Sequence, residues 1–370
     1  MSVIRAFAVI GWQLSLYLLY RIHLRRERPS LRASYQEARV VFAVVLGWKS
    51  KISIRGAEHC PKHGPAIFVA NHVRADDPVL MSEVIHRASD GGIQIHYMMR
   101  DDFFAGTWMK NRLFDLDEMT GMFGAVGISR DSVRLSQMRP FVELLKSGET
   151  FVMYPMGTRT RSGVLVEYRT LEQEPGGASF FAIQAQRKEQ PGHIPIVPLV
   201  RTLDITNDKS TIIFGEPGWP TSAMSREQRA SFDAETIAKL GNLVEINSAN
   251  LLCIFLYIVC LHGVSGRRSI QSIIEQLQRL LSELSVSRYV NAGALSNTDV
   301  EVRRVLRYLE LKGLVSIDGD ILELMTERIL HAPAPAMHYR KENPLRYLAN
   351  QLLHFADVVD AVERMVLPAE

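Results

Sequence analysis

A histidine and an aspartate five residues apart are the pair in this sequence best suited to acid–base chemistry. They are His72 and Asp77, within Asn71-His72-Val73-Arg74-Ala75-Asp76-Asp77-Pro78. In a continuous helix, residues five apart point about 140° away from each other and cannot pair. They can meet if His72 lies in the loop after a strand over residues 66–70 and Asp77 caps a helix whose first residue is Pro78.

A carboxylate that holds an imidazole makes it a general base near neutral pH, because it fixes the tautomer and stabilises the imidazolium that forms. Such a pair can take the proton from an attacking hydroxyl group. The alternative is that Asp77 is an ordinary N-cap and His72 an ordinary loop histidine. The short pattern taken alone does not decide between these interpretations.

Three further segments follow the first along the chain. They are Gly127-Ile128-Ser129-Arg130; Tyr154-Pro155-Met156-Gly157-Thr158-Arg159-Thr160-Arg161-Ser162; and Ile194-Pro195-Ile196-Val197-Pro198. With all four blocks in order, residues 51–220 resemble the glycerolipid acyltransferases, the family of glycerol-3-phosphate and lysophosphatidate acyltransferases. The family pattern has His-x4-Asp, an arginine that closes the second block, Phe-Pro-Glu-Gly-Thr-Arg, and an apolar Pro-x-x-Pro strand.

The resemblance implies a role for each matching residue. His72 would be the catalytic base and Asp77 its partner, while Arg130 and Arg159 would hold a phosphate on the acceptor. Arginine suits that role because its guanidinium binds phosphate through two parallel charge-assisted hydrogen bonds. The other substrate-binding candidates are Asn71, Gly157, which permits close backbone approach, and Thr158.

Two positions depart from the family pattern. Met156 replaces the glutamate of the third block, and Arg74 occupies a place often held by serine. A thioether accepts no strong hydrogen bond, so the departure bears on the acceptor. We expect an active enzyme with an altered acceptor preference, and Met156→Glu should change acceptor choice or rate.

The expected reaction is direct transfer of a fatty acyl group from acyl-CoA or acyl carrier protein to a hydroxyl of a phosphorylated glycerolipid precursor. The catalytic blocks favour 1-acyl-glycerol 3-phosphate as acceptor. A looser resemblance of residues 242–261 and 338–345 to the tail of larger glycerol-3-phosphate acyltransferases, which carry Tyr-Tyr-Arg-Asn-Asn, favours glycerol 3-phosphate instead. No cofactor and no metal is expected, since Cys60, Cys253 and Cys260 lack metal-ligand spacing.

The order of elements predicts an α/β fold with a mixed, acyltransferase-type sheet flanked by helices. Apolar runs typical of buried strands cover residues 66–70, 93–99, 151–154, 194–200 and 211–214, with helical patterns between them. After the turn-rich residues 215–225 the pattern becomes mostly helical. We therefore expect membrane-anchoring helices at 1–50, a catalytic domain at 51–225 and a helical domain at 226–370.

The N-terminal end has the pattern of a membrane anchor. An apolar stretch over residues 3–20 precedes Arg21, Arg25, Arg26, Arg28 and Arg32, and a second, shorter apolar run covers 40–48. We expect a helix pair in the bilayer or its interface, with the arginines against anionic headgroups and the catalytic domain on the cytoplasmic side. The alternative is a buried core helix with a solvated basic face.

A different class of protein is suggested by residues 297–324. An amphipathic helix over 299–312 is followed by Asp318-Gly319 between two apolar runs, a hairpin signal. Helix and hairpin are typical of a winged-helix module, so the rival hypothesis is a membrane-tethered regulatory or binding protein. The net charge of +3 gives no basic excess for nucleic acid, and we expect a structural module and no nucleic-acid partner.

Overall fold

The computed structural model describes residues 3–100, 115–122, 124–128, 135–165, 177–186, 192–264, 267–334 and 337–367. The strands are β1 (Ile52–Arg55), β2 (Ile67–Ala70), β3 (Ile95–Arg100), β4 (Ala125–Ile128), β5 (Thr150–Met153), β6 (Ile196–Asp204), β7 (Lys209–Phe214), β8 (Arg267–Ser269), β9 (Val315–Asp318) and β10 (Ile321–Leu324). The helices of the first half are α1 (Val3–Arg21), α2 (Arg32–Val45), α3 (Trp48–Lys51), α4 (Asp77–Ala88), α5 (Leu116–Met122), α6 (Leu135–Lys146) and α7 (Ala178–Ala185). Those of the second half are α8 (Arg226–Asn242), α9 (Ser248–Leu261), α10 (Ile270–Leu284), α11 (Ala292–Ser296), α12 (Thr298–Leu311), α13 (Thr326–Leu330), α14 (Tyr339–Glu342), α15 (Pro344–Ala349) and α16 (Ala356–Val366).

Seven strands form one mixed sheet in the order β1-β7-β6-β2-β5-β3-β4. Neighbouring strands run parallel except β6 and β7, which run antiparallel. The strands β2, β5 and β6 are buried along their whole length, as expected for strands covered on both faces. The predicted α/β fold with a mixed sheet is confirmed, and the carboxyl ends of these three strands meet at one edge.

The second half of the chain is mostly helical, as predicted, with a three-stranded sheet in the order β8-β10-β9. The predicted hairpin at Asp318-Gly319 joins β9 to β10. The mostly apolar helix α9 is buried from Ser248 to Cys260, and Cys253 and Cys260 on it are buried as expected. One cluster of buried apolar side chains runs from Ile67 on β2 to Val366 on α16, so the sheet and the helical region share a core.

The winged-helix-like helix α12 packs on the turn between β6 and β7. Arg304 on α12 forms an ion pair with Asp204 at 3.0 Å and a short hydrogen bond with Thr206. Arg303, one residue earlier, pairs with Asp299 on its own helix at 2.8 Å. These contacts support the structural interpretation of the module over a role in binding nucleic acid.

The N-terminal helices α1 and α2 pack against each other, and α1 is long and apolar enough to cross a membrane. Part of the arginine run contacts the protein itself, which differs from the expectation that it faces headgroups. Arg21 pairs with Glu118 at 2.8 Å, and Arg32 pairs with Glu149 at 3.1 Å. Arg39 on α2 also pairs with Glu83 on α4 at 2.7 Å, and Ala43 on α2 is buried in the apolar cluster that includes α4, so α2 docks on the sheet region through both polar and apolar contacts.

Candidate active site

His72 and Asp77 meet at the carboxyl end of β2. His72 Nδ1 lies 2.7 Å from Asp77 Oδ2, and the same oxygen accepts the backbone N–H groups of Val73 at 2.7 Å and Arg74 at 2.8 Å. The chain therefore turns between the two residues, as Pro78 suggested. The expectation that Asp77 is the N-cap is wrong, because α4 begins at Asp77 and its carboxylate turns back to close the preceding loop.

Arg201 on β6 binds the other oxygen of Asp77. Its Nη1 donates to Asp77 Oδ1 at 2.5 Å and to Asp76 Oδ1 at 3.0 Å, and its Nε donates to Ser210 Oγ at 3.1 Å. Arg201 and Asp77 are both buried. Buried charges are stable when paired and hydrogen-bonded, and this pair meets both conditions.

The electrostatics keep Asp77 ionised. Burial raises the pKa of the Asp77 carboxyl, but the Arg201 guanidinium, His72 and the Arg74 amide outweigh it and lower that pKa to about 2. An ionised carboxylate accepts a hydrogen bond from the N–H at His72 Nδ1, which leaves the lone pair on Nε2. The site therefore contains a carboxylate–imidazole pair poised to accept a proton.

Two contacts from the third block fix the imidazole in place. The ring of His72 stacks on Tyr154, which follows β5, with centroids 4.3 Å apart. The backbone N–H of Thr160 donates to the carbonyl oxygen of His72 at 2.8 Å. These contacts bring the loop after β5 against the loop after β2.

The remaining predicted residues occupy different positions. Gly157 lies in an exposed turn with φ of +62°, Thr158 is half-buried and Arg159 is exposed. The Asn71 side chain forms two hydrogen bonds with the Arg201 backbone. Its Nδ2 donates to the Arg201 carbonyl oxygen at 2.9 Å, and its Oδ1 accepts the Arg201 N–H at 2.8 Å. Asn71 therefore links the end of β2 to β6, whereas the sequence predicted that it would contact substrate. Arg130 lies outside the described residues.

The region that contains His72 and Asp77 is similar to known proteins. Residues 51–202 match the family model described as Acyltransferase. This region belongs to the acyltransferase family. The prediction of an acyltransferase is thereby confirmed for this region, and the glycerolipid substrate remains a prediction.

Among solved structures, the chain is similar to the 1-acyl-sn-glycerophosphate (LPA) acyltransferase PlsC from Thermotoga maritima. The identity is 18% and the TM-score 0.39, and the match covers 65% of this chain and 97% of that one. At that level the similarity does not support a shared substrate. No curated protein matches the chain.

The candidate active-site cleft, of about 240 Å³, is built by two parts of the chain. The sheet region contributes the loop over residues 73–76 together with Arg159 and Thr160. The C-terminal region contributes His338, Arg340 and Tyr347. The segment 338–345, which the sequence marked only as a loose resemblance, therefore reaches the cleft.

Met156, which stands where the family pattern has a glutamate, is part of the core. Met156 is 2% exposed and belongs to the apolar cluster under the sheet. A glutamate there would be a buried carboxylate, so Met156→Glu should perturb the fold before it changes acceptor choice.

Sequence reasoning missed Arg201 and Tyr154 as members of the site. The signal for Arg201 was present, because it is a charged residue directly after the apolar run 194–200. Charged side chains are rarely buried unless they are paired, so a charge at the end of a buried strand points to a partner. Nothing comparable in the sequence pointed to the stacking of Tyr154 on His72.

Proposed function

We propose that this acyltransferase moves a fatty acyl group from a thioester to a hydroxyl of a phosphorylated glycerolipid precursor, most readily 1-acyl-glycerol 3-phosphate. The observation that carries the proposal is the chain of contacts Arg201–Asp77–His72 beside a cleft that contains Arg159. His72 Nε2 takes the proton of the acceptor hydroxyl, and the oxygen attacks the thioester carbonyl. The carbon–sulfur bond then breaks, and the proton passes from His72 to the leaving thiolate.

Direct transfer fits the state of the cysteines better than a covalent thioester intermediate does. A nucleophilic cysteine must reach its thiolate form. Burial raises the pKa of Cys60 to about 12 and that of Cys253 well above its ordinary value. Cys260 is also buried, and burial raises its pKa. The donor, acyl-CoA or acyl carrier protein, would therefore react with the acceptor without an acyl-enzyme.

Glycerol 3-phosphate is the second candidate acceptor. The observation in its favour is that His338 and Arg340, from the segment that resembles the tail of glycerol-3-phosphate acyltransferases, line the cleft. Both acceptors carry a phosphate and a free hydroxyl, and they differ in the acyl chain already present. An assay with both acceptors therefore decides between them, because the same reaction would acylate either hydroxyl.

Membrane association belongs to the same proposal. Helix α1 exposes large apolar side chains, among them Ile4, Phe7 and Trp12. We infer that α1 lies in or across the bilayer and that the acyltransferase faces the cytoplasm, since basic residues follow the helix. A lipid acceptor would then be taken from the membrane surface.

The test is an acyl-transfer assay of protein reconstituted in membranes, with glycerol 3-phosphate, lysophosphatidate and other lysolipids as acceptors. His72→Ala should lower kcat by roughly 10²–10⁴-fold or more, since it removes the base. His331→Ala, which replaces an exposed histidine of the C-terminal region, serves as the control and should retain activity. If His72→Ala protein acylates as fast as the parent, the mechanism is wrong.

A further inference from the structure

Helix α2 is fastened to the sheet region by two contacts between an arginine and a histidine. Arg39 Nη2 lies 2.8 Å from His86 Nε2 on α4, and Arg32 Nη1 lies 3.2 Å from His96 Nδ1 on β3. Arg32 and Arg39 are seven residues apart, so both lie on the same face of α2. None of these four residues lines the candidate active-site cleft.

The contact between Arg39 and His86 requires a neutral imidazole. A guanidinium group donates hydrogen bonds and accepts none, so His86 Nε2 must accept through its lone pair. A proton on that nitrogen would point one N–H group at another and would place two positive charges side by side. The contact can therefore form only while His86 is uncharged.

The groups around His86 do not compensate a positive charge on its ring. Glu83 is shared between two arginines already, because its Oε2 accepts from Arg39 Nη1 and its Oε1 from Arg87 Nε, each at 2.7 Å. The backbone of Gly91 packs on the ring and brings no charge. Burial lowers the pKa of His86, and Arg39 lowers it further, whereas Glu83 raises it by less. The neutral ring is therefore the form that the docked helix favours.

The second histidine tolerates a proton better than the first. His96 Nδ1 also lies 2.9 Å from the carbonyl oxygen of Gly124, and its Nε2 lies 3.3 Å from Glu149 Oε2. An imidazolium could donate to both of these oxygens. Burial and the charge of Arg32 lower the pKa of His96, while Gly124 and Glu149 oppose them. Of the two contacts, the one at His86 is thus the more sensitive to acid.

The docking of α2 reaches both the N-terminal helix and the candidate active site. Ala43 on α2 and Trp48 on α3 are buried together with apolar side chains of α4, the helix that begins at Asp77. On the other side of α2, Gln13 Oε1 on α1 accepts the Ser34 N–H at 2.7 Å and the Ser34 hydroxyl at 2.8 Å. A change in how α2 sits on α4 would therefore be felt by α1 and by the helix that carries Asp77.

We propose that His86 is a pH-sensitive latch, which holds α2 on α4 while its ring is neutral and releases the helix when the ring is protonated. The direction follows from the lowered pKa of His86 in the docked state. Its contribution to docking is complete above the ordinary value of 6.5 and is lost as the pH falls below that value towards the folded one. The latch is independent of the substrate and of the proposed reaction.

The test is hydrogen–deuterium exchange of the full chain in detergent micelles between about pH 8 and about pH 5, with rates corrected for intrinsic exchange. Amides of residues 32–45 should exchange about tenfold faster at the acidic end, because release of α2 opens them locally. His86→Gln supplies an uncharged acceptor for Arg39 at every pH and should remove most of that acceleration. His86→Lys carries a permanent charge and should show fast exchange of α2 already at neutral pH.

The matched control is His331→Gln, which replaces an exposed histidine of the C-terminal region and should keep the acceleration of the parent. Helix α9 serves as an internal reference, since local release of α2 leaves its exchange unchanged. Exchange of α2 that does not depend on pH in the parent overturns the proposal. So does an acceleration that persists in His86→Gln, one that disappears in His96→Asn alone, or one that is equally large in α9.

Discussion

Asp77 accepts hydrogen bonds from four donors, and of these Arg201 carries a permanent positive charge. Arg201→Met would leave the buried Asp77 carboxylate without that charge and should lower the free energy of unfolding by about 3–5 kcal/mol. Adding Asp77→Asn removes the stranded charge, so the double variant should lose less than the sum of the two single variants. Urea unfolding of the four proteins in detergent micelles measures this coupling.

The control for that cycle is Arg303→Met, which breaks an exposed ion pair with Asp299. It should cost less than about 1 kcal/mol, because solvent screens exposed pairs. Strictly additive effects of Arg201→Met and Asp77→Asn would show that Arg201 does not hold the Asp77 charge.

The acid dependence of stability follows from the same carboxylate. Its pKa is about 2 in the folded protein, against an ordinary value of 3.8. A lowered pKa stabilises the fold above the ordinary value, and that contribution is lost as the pH falls through the folded value. The difference in unfolding free energy between the parent and Asp77→Asn should be constant above about pH 5 and should shrink by roughly 2 kcal/mol towards pH 2. Unfolding in urea at a series of pH values tests this, and a difference that grows on acidification contradicts it.

The residues of the site were not equally predictable from the sequence. His72 and Asp77 could be paired because Pro78 marks a helix start and the family pattern names both. Arg201 could not be joined to them, since the contact depends on β2 and β6 lying side by side although 130 residues separate Asn71 from Arg201. Strand neighbours so far apart in sequence follow from sheet order, which local patterns do not encode.

The loop after β5 is the element that joins the site to the C-terminal region. The carbonyl oxygen of Arg161 accepts the Tyr339 N–H at 3.0 Å, and that of Ser162 accepts the Asn350 amide at 2.8 Å. Gly163, with φ of +92°, packs so closely that an added Cβ would overlap the backbone oxygen of Tyr347. The contacts hold the third block against α14 and α15 and so place Arg159 beside Arg340.

Gly163→Ala should therefore weaken both stability and substrate binding. We expect a loss of unfolding free energy about 1–3 kcal/mol greater than that of Gly148→Ala, because overpacking is added to backbone strain. Gly148 has a similar φ of +86° and nothing within 4 Å of an added Cβ, so it isolates the strain alone. The KM of the acceptor should rise in the Gly163 variant. Equal losses in the two variants would show that the close packing on Tyr347 contributes nothing.

At the scale of elements, five strands of the seven-stranded sheet were predictable as apolar runs and two were not. The runs match β2, β3, β5, β6 and β7, which are apolar and mostly buried. Strand β1 at Ile52–Arg55 is short, ends on an arginine and is only half-buried, and β4 at Ala125–Ile128 contains Gly127. Edge strands of this kind are recognised by their pairing with a neighbour, which only the assembled sheet supplies.

At the scale of the molecule, the change of pattern after residue 225 marks a change in secondary structure within one packed core. The apolar cluster that includes Ile196 on β6 and Phe181 on α7 also includes Phe255 on α9 and Leu348 on α15. The limits 51–225 and 226–370 remain a prediction. The sequence pattern showed where helices replace strands. It could not show that these helices pack on the sheet, because that packing depends on contacts between residues far apart in the sequence.

The N-terminal helix gives the last prediction, which concerns how the whole molecule meets the bilayer. Ile4, Phe7 and Trp12 on α1 are 81%, 58% and 66% exposed, a set of apolar side chains facing away from the protein. Burying each such side chain in lipid contributes about 1.5–3 kcal/mol. Replacing all three by Asn should shift the protein from the pellet to the supernatant when it is sedimented with anionic lipid vesicles. Val286→Asn with Leu311→Asn, at positions 89% and 82% exposed in the C-terminal region, removes exposed apolar side chains away from α1 and should leave sedimentation unchanged. Equal behaviour of the two variants would show that α1 is not the membrane contact.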